Sequence, residues 1–214
     1  MGVDKPVETR NPIESGQSVR IPILGSRHDR PVPIGTPVKA LIERQARNPS
    51  TVTYSLETTV LEVLRGERAR ENIRKADLAD KEPDPGFEYL MARIRFKYAP
   101  KAQGLPEYEP YEVEQIQFRA CSHDGSTEYE IPKLKRQPDP GLIGLSIAVY
   151  ESREGWIVFQ VPSEEKEPLL AFDRDATEGR LTLKTVRGLL WFKLYHFDPT
   201  NLDDDCVECA RPGS

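Results

Sequence analysis

One short run constrains the fold of this chain more than any other: residues 154–162, which read Glu-Gly-Trp-Ile-Val-Phe-Gln-Val-Pro. A glycine stands near its start, a proline closes it, and its apolar side chains fall on both alternating faces. Such a run is typical of a buried β-strand. It predicts an architecture, and it carries no residue pattern that indicates a reaction.

The composition predicts one globular core and argues against a nucleic-acid binder. The chain has 214 residues, of which 37% are hydrophobic and 30% charged, a polar composition that still allows a core to form. Its net charge is −5, whereas binding to phosphates needs clustered Lys and Arg. The most compact basic group is interpreted as a solvated loop, and it consists of Lys133, Lys135 and Arg136.

Membrane and disulfide signals are weak. No run approaches the roughly 20 apolar residues that span a bilayer, and residues 1–20 lack the apolar centre of a signal peptide. We therefore expect no membrane span, signal peptide or lipobox in these residues. The three cysteines, Cys121, Cys206 and Cys209, are too few for a disulfide framework, so their redox state stays open.

The chain divides into three predicted parts. Residues 1–24 are rich in Pro, Glu, Arg and Ser with little periodicity, which is typical of a flexible arm or linker. Pro and Gly residues at 31–37 then mark an entry turn, so the folded domain is predicted at residues 25–198. Residues 199–214 form an acidic tail that contains two of the cysteines.

Strand periodicity begins in the first half of the domain. Val38, Ala40 and Ile42 have strand spacing, and residues 52–63 predict a long strand whose apolar pattern changes face, as at a bulge. Residues 65–76 predict one short amphipathic helix, because the apolar residues Ala69, Ile73 and Ala76 recur at helical spacing.

The second half continues as short strands. Residues 90–98 alternate between apolar and polar side chains, which predicts a strand with one solvated face. Ile116, Phe118 and Ala120 alternate with polar residues and lead into the turn His123-Asp124-Gly125, which predicts a hairpin. Further strands are predicted at 169–172, 181–183 and 189–197. Many short strands with a single helix favour an all-β antiparallel sandwich over a βαβ arrangement.

Five stretches, in this order, resemble a known family: GSR at 25–27 running to PVPIGTPV at 31–38, VLEVLRGE at 60–67, GFEYL at 86–90, GWIVFQVP at 155–162 and LWFKL at 190–194. The chain resembles the immunoglobulin-like domain-of-unknown-function family of bacterial exported proteins and lipoproteins. Its fold is similar to that of a mycobacterial secreted immunoprotective antigen, and some members carry the misleading label of telomeric repeat-binding factor.

This resemblance, over roughly residues 25–195, implies an immunoglobulin-like sandwich with an extracellular or cell-surface location. It implies no catalytic residues and no cofactor. The family has a signal peptide or lipobox followed by a polar linker, and residues 1–24 are similar to that linker.

The tail offers the one motif typical of metal binding. Cys206 and Cys209 form a single Cys-x-x-Cys pair, whereas a structural zinc site needs four ligands. His196 is a candidate third ligand, and three aspartates stand at 203–205 without the spacing of an EF-hand loop. A metal site, a disulfide within the tail and an inert tail all remain open.

Catalytic patterns are absent from the sequence. His28, His123 and His196 are far apart, and no Ser or Cys lies in the setting of an activated nucleophile. Turn chemistry explains Asp173 and Asp175. We therefore expect no enzyme activity and predict no catalytic, cofactor-binding or metal-binding residue.

The two tryptophans have different predicted roles. Trp156 lies among apolar neighbours and is predicted to pack in the core. Trp191 shares its strand face with Lys193 and Tyr195, and if that face were exposed it would form an aromatic binding patch together with Phe197.

The leading hypothesis is a non-catalytic binding or adaptor module of the bacterial cell envelope with a protein or cell-wall partner. The alternatives are a metal-binding or hydrolytic protein that uses the His/Asp/Cys tail, and a structural spacer. The sequence leaves the partner and the oligomeric state open.

Overall fold

The structure, a computed structural model, describes residues 24–45, 51–76, 82–101, 109–174, 176 and 189–196. The predicted tail and strand 181–183 lie outside these residues, as does all of the predicted arm except Leu24. One helix is described, α1 (Glu67–Ala76), with a 3₁₀ turn at Gln115–Gln117. The strands are β1 (Val38–Gln45), β2 (Thr51–Arg65), β3 (Phe87–Pro100), β4 (Tyr111–Glu112), β5 (Phe118–Cys121), β6 (Glu128–Tyr129), β7 (Ser146–Ile147), β8 (Ser152–Pro162), β9 (Leu169–Phe172) and β10 (Leu190–Lys193).

Two four-stranded antiparallel sheets pack face to face. The first sheet has the strand order β1-β2-β3-β8, and the second has the order β10-β9-β5-β6; β4 and β7 pair separately. Apolar side chains from both sheets meet in one continuous core. The predicted fold class, an immunoglobulin-like antiparallel sandwich with one short amphipathic helix, is confirmed.

Strand β2 contains the predicted change of face. Its even-numbered residues from Val52 to Val60 are buried, and the pairing with β3 shifts between Val60 and Glu62. Beyond this bulge Val63 packs against the main core, while Leu64 faces the opposite side of the sheet. The bulge therefore supplies an apolar patch on the outer face, because one extra residue reverses the alternation.

Helix α1 covers that outer patch. Ala69 and Ile73 are buried there with Leu64 and with side chains of β3 and β8, namely Tyr89, Met91 and Val158. Trp156 packs half-buried against the same cluster. The prediction that Trp156 packs in the core of the sandwich is therefore wrong: alternation along β8 points Ile157 and Phe159 into that core, so Trp156 lies on the outer face beside the helix.

The β5–β6 hairpin forms as predicted, but β5 begins at Phe118 and not at Ile116. Gln117, predicted on a solvated face, is buried. Its side-chain oxygen accepts a hydrogen bond from the Glu114 amide at 3.1 Å, and its Nε2 donates to the Glu112 carbonyl at 3.3 Å. These bonds close a 3₁₀ turn where alternation alone suggested a strand.

Two irregular segments cover sheet edges. The edge of β8 exchanges backbone hydrogen bonds at Trp156 with Pro140 and Leu142, at 2.8 and 2.9 Å. The edge of β10 is bonded by residues 25–32, with the Val32 amide donating to the Trp191 carbonyl at 2.8 Å. Because unpaired strand edges favour association with other chains, these segments protect two edges of the sandwich.

We expect Gly155→Ala to lower the free energy of unfolding by about 1–3 kcal/mol. A Cβ there would lie 2.7 Å from backbone atoms of Gly141 and Leu142, so residues 140–142 would be pushed off the edge of β8. Hydrogen exchange should show lost protection at the Trp156 and Leu142 amides. Gly86→Ala is the control, since a Cβ there meets nothing within 4 Å and only the φ of +84° is strained. Unchanged protection in the Gly155 variant would contradict this.

Candidate functional site

The outer face of the first sheet is divided into two halves. Helix α1 covers the apolar half, and the other half carries charged side chains. We call this second half the polar face, and its charged residues are Lys39 and Glu43 on β1, Glu57 and Glu62 on β2, Arg93, Arg95 and Lys97 on β3, and Glu154 on β8. The charges lie together because alternate residues of neighbouring strands point to the same side of a sheet.

Glu57 lies between two lysines. Its carboxylate oxygens are 3.0 Å from Lys97 Nζ and 3.6 Å from Lys39 Nζ. The hydrogen bond from Lys97 is the main cause that holds the pKa of Glu57 below its usual value; burial opposes this, and the charge of Lys39 adds to the lowering. The Glu57 side chain is only 15% exposed, whereas both lysines reach into solvent. The cluster thus presents outward-facing ammonium groups with unused N–H donors.

The centre of the polar face holds an uncompensated cation. Arg93 is paired with Glu154 and lies 3.9 Å from Glu62. Within the described part of the chain Arg95 has no ion-pair partner, and its Nε is buried without a hydrogen bond. Counting Glu43, the polar face has four cations and four carboxylates, so Arg95 is uncompensated locally although the face as a whole is balanced.

Next to this cluster lies a cavity of about 310 Å³. Its lining includes Lys39, Glu57, Lys97 and Tyr150, together with Ser55 and Ser152. Tyr150 is 63% exposed. We call this cavity the Tyr150 pocket.

Tyr150 has a strained backbone. Its φ is +67°, and no other non-glycine residue among those described has a positive φ. Its amide donates to the Tyr98 carbonyl at 2.7 Å, and the Tyr98 amide donates to the Glu151 carbonyl at 3.2 Å. The turn is closed by a bond of 3.0 Å from the Glu151 amide to the Ala148 carbonyl. Hydrogen bonds to β3 therefore hold the turn in a conformation that tyrosine disfavours.

The Glu151 side chain reinforces the same turn. Its carboxylate accepts hydrogen bonds from Arg153 at 3.1 and 3.3 Å and from the Ala148 amide at 3.3 Å. The bonds from Arg153 are the main reason that the pKa of Glu151 is lowered. The position of Tyr150 is thus fixed from both sides of the turn.

The aromatic patch expected on this strand face required an exposed Trp191, and the structure shows that Trp191 is buried. Trp191 is 7% exposed and packs with Cys121, Leu169 and Ala171. His28 lies edge-on against its ring, with centroids 5.9 Å apart, because residues 25–32 fold over this strand. Phe197 lies outside the described residues.

The other candidate residues are not brought together. His123 and His196 are exposed, Asp173 is buried at the end of β9, and Asp175 lies outside the described residues. Cys206, Cys209 and the aspartates 203–205 also lie outside them. In the described ranges no group of three His, Cys, Asp or Glu side chains could hold a metal ion. The metal hypothesis for the tail therefore stays a prediction.

Two further observations concern chemistry and membranes. Cys121 is fully buried, and burial raises the pKa of its thiol to about 12, so it is a packing residue rather than a nucleophile. Among the described residues, no helix is long and apolar enough to cross a membrane.

The sequence predicted part of this site. The alternation in β3 indicated the solvated side that carries Arg93, Arg95 and Lys97. Tyr150 was missed, because the residues around it do not reveal that its φ is positive. The available signal was a lone tyrosine between a loop and a strand, which is too common to single out.

Neither a protein-family model nor a curated protein matches the chain. Solved structures similar to it include ycdA of Bacillus subtilis subsp. subtilis strain 168, assigned as a lipoprotein, with 16% identity and a TM-score of 0.41. The match covers 74% of this chain and 39% of ycdA, so the chain spans well under half of that protein. The secreted protein MPT63 of Mycobacterium tuberculosis has 16% identity and a TM-score of 0.37, over 67% of this chain and 89% of MPT63.

We expect Glu57→Gln to reduce stability at neutral pH by up to about 1 kcal/mol, because its ion pairs are partly solvated. The pKa of Glu57 is lower in the folded chain than the roughly 4.3 of an unfolded glutamate. Its contribution is therefore present above that value and is lost as the pH falls through the folded pKa.

Denaturant titrations of the wild type and the Glu57→Gln variant from pH 7 to pH 3 measure the difference between their free energies of unfolding. The gap in unfolding free energy should shrink on acidification. Glu62→Gln is the control, since its nearest charge partner, Arg93, is 3.9 Å away and its own side chain is 44% exposed. A gap that is constant with pH, or equal in the two variants, would contradict the role given to Glu57.

Proposed function

We propose that this protein is a non-catalytic binding module of the bacterial cell envelope. It binds a protein or cell-wall partner through the Tyr150 pocket and the adjoining polar face. The observation that carries the proposal is the exposed ring of Tyr150 on a left-handed backbone, beside the Lys39–Glu57–Lys97 cluster.

The strain at Tyr150 supports a binding role. A non-glycine residue in this backbone region costs about 1–3 kcal/mol, and asparagine or glycine would reduce that cost. Burial offsets little of this cost, since Tyr150 is 63% exposed. An exposed side chain on a backbone that carries this cost fits a position that contacts a partner.

The chemistry of the pocket supports a polar partner. An exposed tyrosine supplies a large, rigid surface, and tyrosine and arginine are the residues that most often dominate binding energy. Beside it, Lys39 and Lys97 offer hydrogen-bond donors, and Arg95 offers an unpaired guanidinium among the described charges. Acceptor groups on a partner, such as carboxylates, would complement these donors.

The rigidity of the scaffold also supports recognition through surface complementarity. The polar face is built on β2 and β3, which are paired on both sides within the first sheet. Side chains on interior strands lose less freedom on binding than side chains on loops, which lowers the entropy cost of association.

The envelope location rests on the sequence resemblance to exported proteins and lipoproteins, together with the predicted linker at residues 1–24. The proposed arrangement is a tethered domain that presents the polar face to its partner. No cofactor is part of this proposal.

Tyr150→Asn separates binding from folding, because asparagine tolerates positive φ while the aromatic ring is removed. We expect stability to be unchanged or higher by up to about 1 kcal/mol. Binding of the purified chain to isolated envelope fractions is measured by co-sedimentation. We expect the affinity of the variant to be about 30-fold weaker, which corresponds to a loss of about 2 kcal/mol.

Two variants complete this test. Tyr150→Phe keeps the ring and should retain most of the binding. Phe87→Asn removes an exposed aromatic ring at the other end of β3 and should leave binding unchanged. Equal binding by the wild type and Tyr150→Asn would refute the proposed site, and no saturable binding by the wild type would favour the spacer hypothesis.

A further inference from the structure

Strand β1 has a free edge within the described part of the chain. The carbonyl oxygen of Val60 accepts a bond of 2.7 Å from the Gly35 amide on the β1 side, so even-numbered residues of β2 face β1. In the observed register these residues pair with even-numbered residues of β1. The backbone groups of Lys39, Leu41 and Glu43 therefore point away from the sheet.

The side chain of Arg174 confirms this direction. Its Nε donates to the Leu41 carbonyl oxygen at 2.8 Å, from the side opposite β2. In the described ranges no backbone group bonds to this edge, in contrast to the opposite edge of the sheet, where Pro140 and Leu142 pair with β8. Among the described residues, the Arg174 guanidinium is thus the group that protects this strand edge.

The outward-facing side chains on this edge are complementary to themselves. Lys39 is 71% exposed, Leu41 is 45% exposed, and Glu43 is exposed and unpaired among the described residues. The order is positive, apolar, negative. A two-fold antiparallel pairing centred on Leu41 would place Lys39 opposite Glu43 of a second copy and Leu41 opposite its equivalent.

We propose that β1 pairs with β1 of a second copy of this chain, and that the first sheet continues across a two-fold axis at Leu41. Three residue pairs, at 39, 41 and 43, would each exchange two backbone hydrogen bonds. Two Lys–Glu pairs would flank one leucine contact on the same face. A register shifted by two residues would place Leu41 opposite a charged residue. Parallel in-register pairing would place each charged residue opposite its equivalent of the same sign. The charges therefore favour the antiparallel pairing centred on Leu41.

The pairing has a consequence for the Tyr150 pocket. Lys39 also lines that pocket, so a dimer through β1 would place two pockets on one continuous surface. A partner with repeated binding groups would then engage both copies, which raises the overall affinity without new contacts in either pocket. The dimer itself does not depend on the proposed binding function.

Sedimentation velocity on the full chain, from about 1 to about 500 μM, tests the pairing. A contact made by one strand is small, so we expect a dissociation constant in the micromolar range. Lys39→Glu and Glu43→Lys should each weaken dimerisation at least about tenfold, because like charges then oppose each other. The double variant Lys39→Glu/Glu43→Lys should restore the wild-type constant.

Two variants distinguish an effect on the β1 interface from an effect on the neighbouring Glu57 cluster. Lys39 also lies near Glu57, so Glu43→Lys tests the interface without changing that cluster. Arg174→Ala should strengthen dimerisation, since the Leu41 carbonyl is then released for pairing. A wild-type chain that is monomeric over the whole range, or a dimer that neither single charge reversal weakens, would overturn the proposal.

Discussion

Three phenylalanines hold the two sheets together, and the rest of the structure depends on their contact. The ring centroids of Phe96 on β3 and Phe172 on β9 are 5.4 Å apart. The Phe172 ring stacks on that of Phe118 on β5, with centroids 5.0 Å apart. All three are fully buried. Because strand side chains alternate, an inward Phe96 requires that Arg95 and Lys97 face outward. A slip of one residue would bury those charges, so the packing of the core fixes the register of the polar face.

The same core positions the turn at Tyr150. The ring of Tyr98 stacks on Tyr54 at 4.8 Å inside the sandwich, while its backbone amide and carbonyl bond to the turn outside. The bulge in β2 then decides which part of the outer face receives helix α1 and which part stays open. Core packing therefore determines which side chains lie on the polar face. This face is exposed because helix α1 covers only the other half of the outer side of the sheet.

Sequence periodicity was sufficient for features that depend on one strand or helix alone. The bulge near residue 60, the alternation of β3 and helix α1 all follow from the spacing of apolar residues. Periodicity failed for features that depend on contacts beyond a single strand or helix. Trp191 is covered by a segment more than 150 residues earlier in the chain, and Gln117 is buried by bonds from its own side chain. Periodicity indicates which residues share a face, but not what covers that face.

The central claim is that the Tyr150 end of the polar face contacts the partner. Site-specific photo-crosslinking tests it most directly, with p-benzoylphenylalanine placed at position 150 or at position 87 of the full chain in the cells that produce it. Both positions carry exposed aromatic side chains, at opposite ends of the β3–β8 pairing. We predict a discrete irradiation-dependent adduct from position 150 and none from position 87. An adduct from position 87 alone, or none from position 150, would contradict the claim.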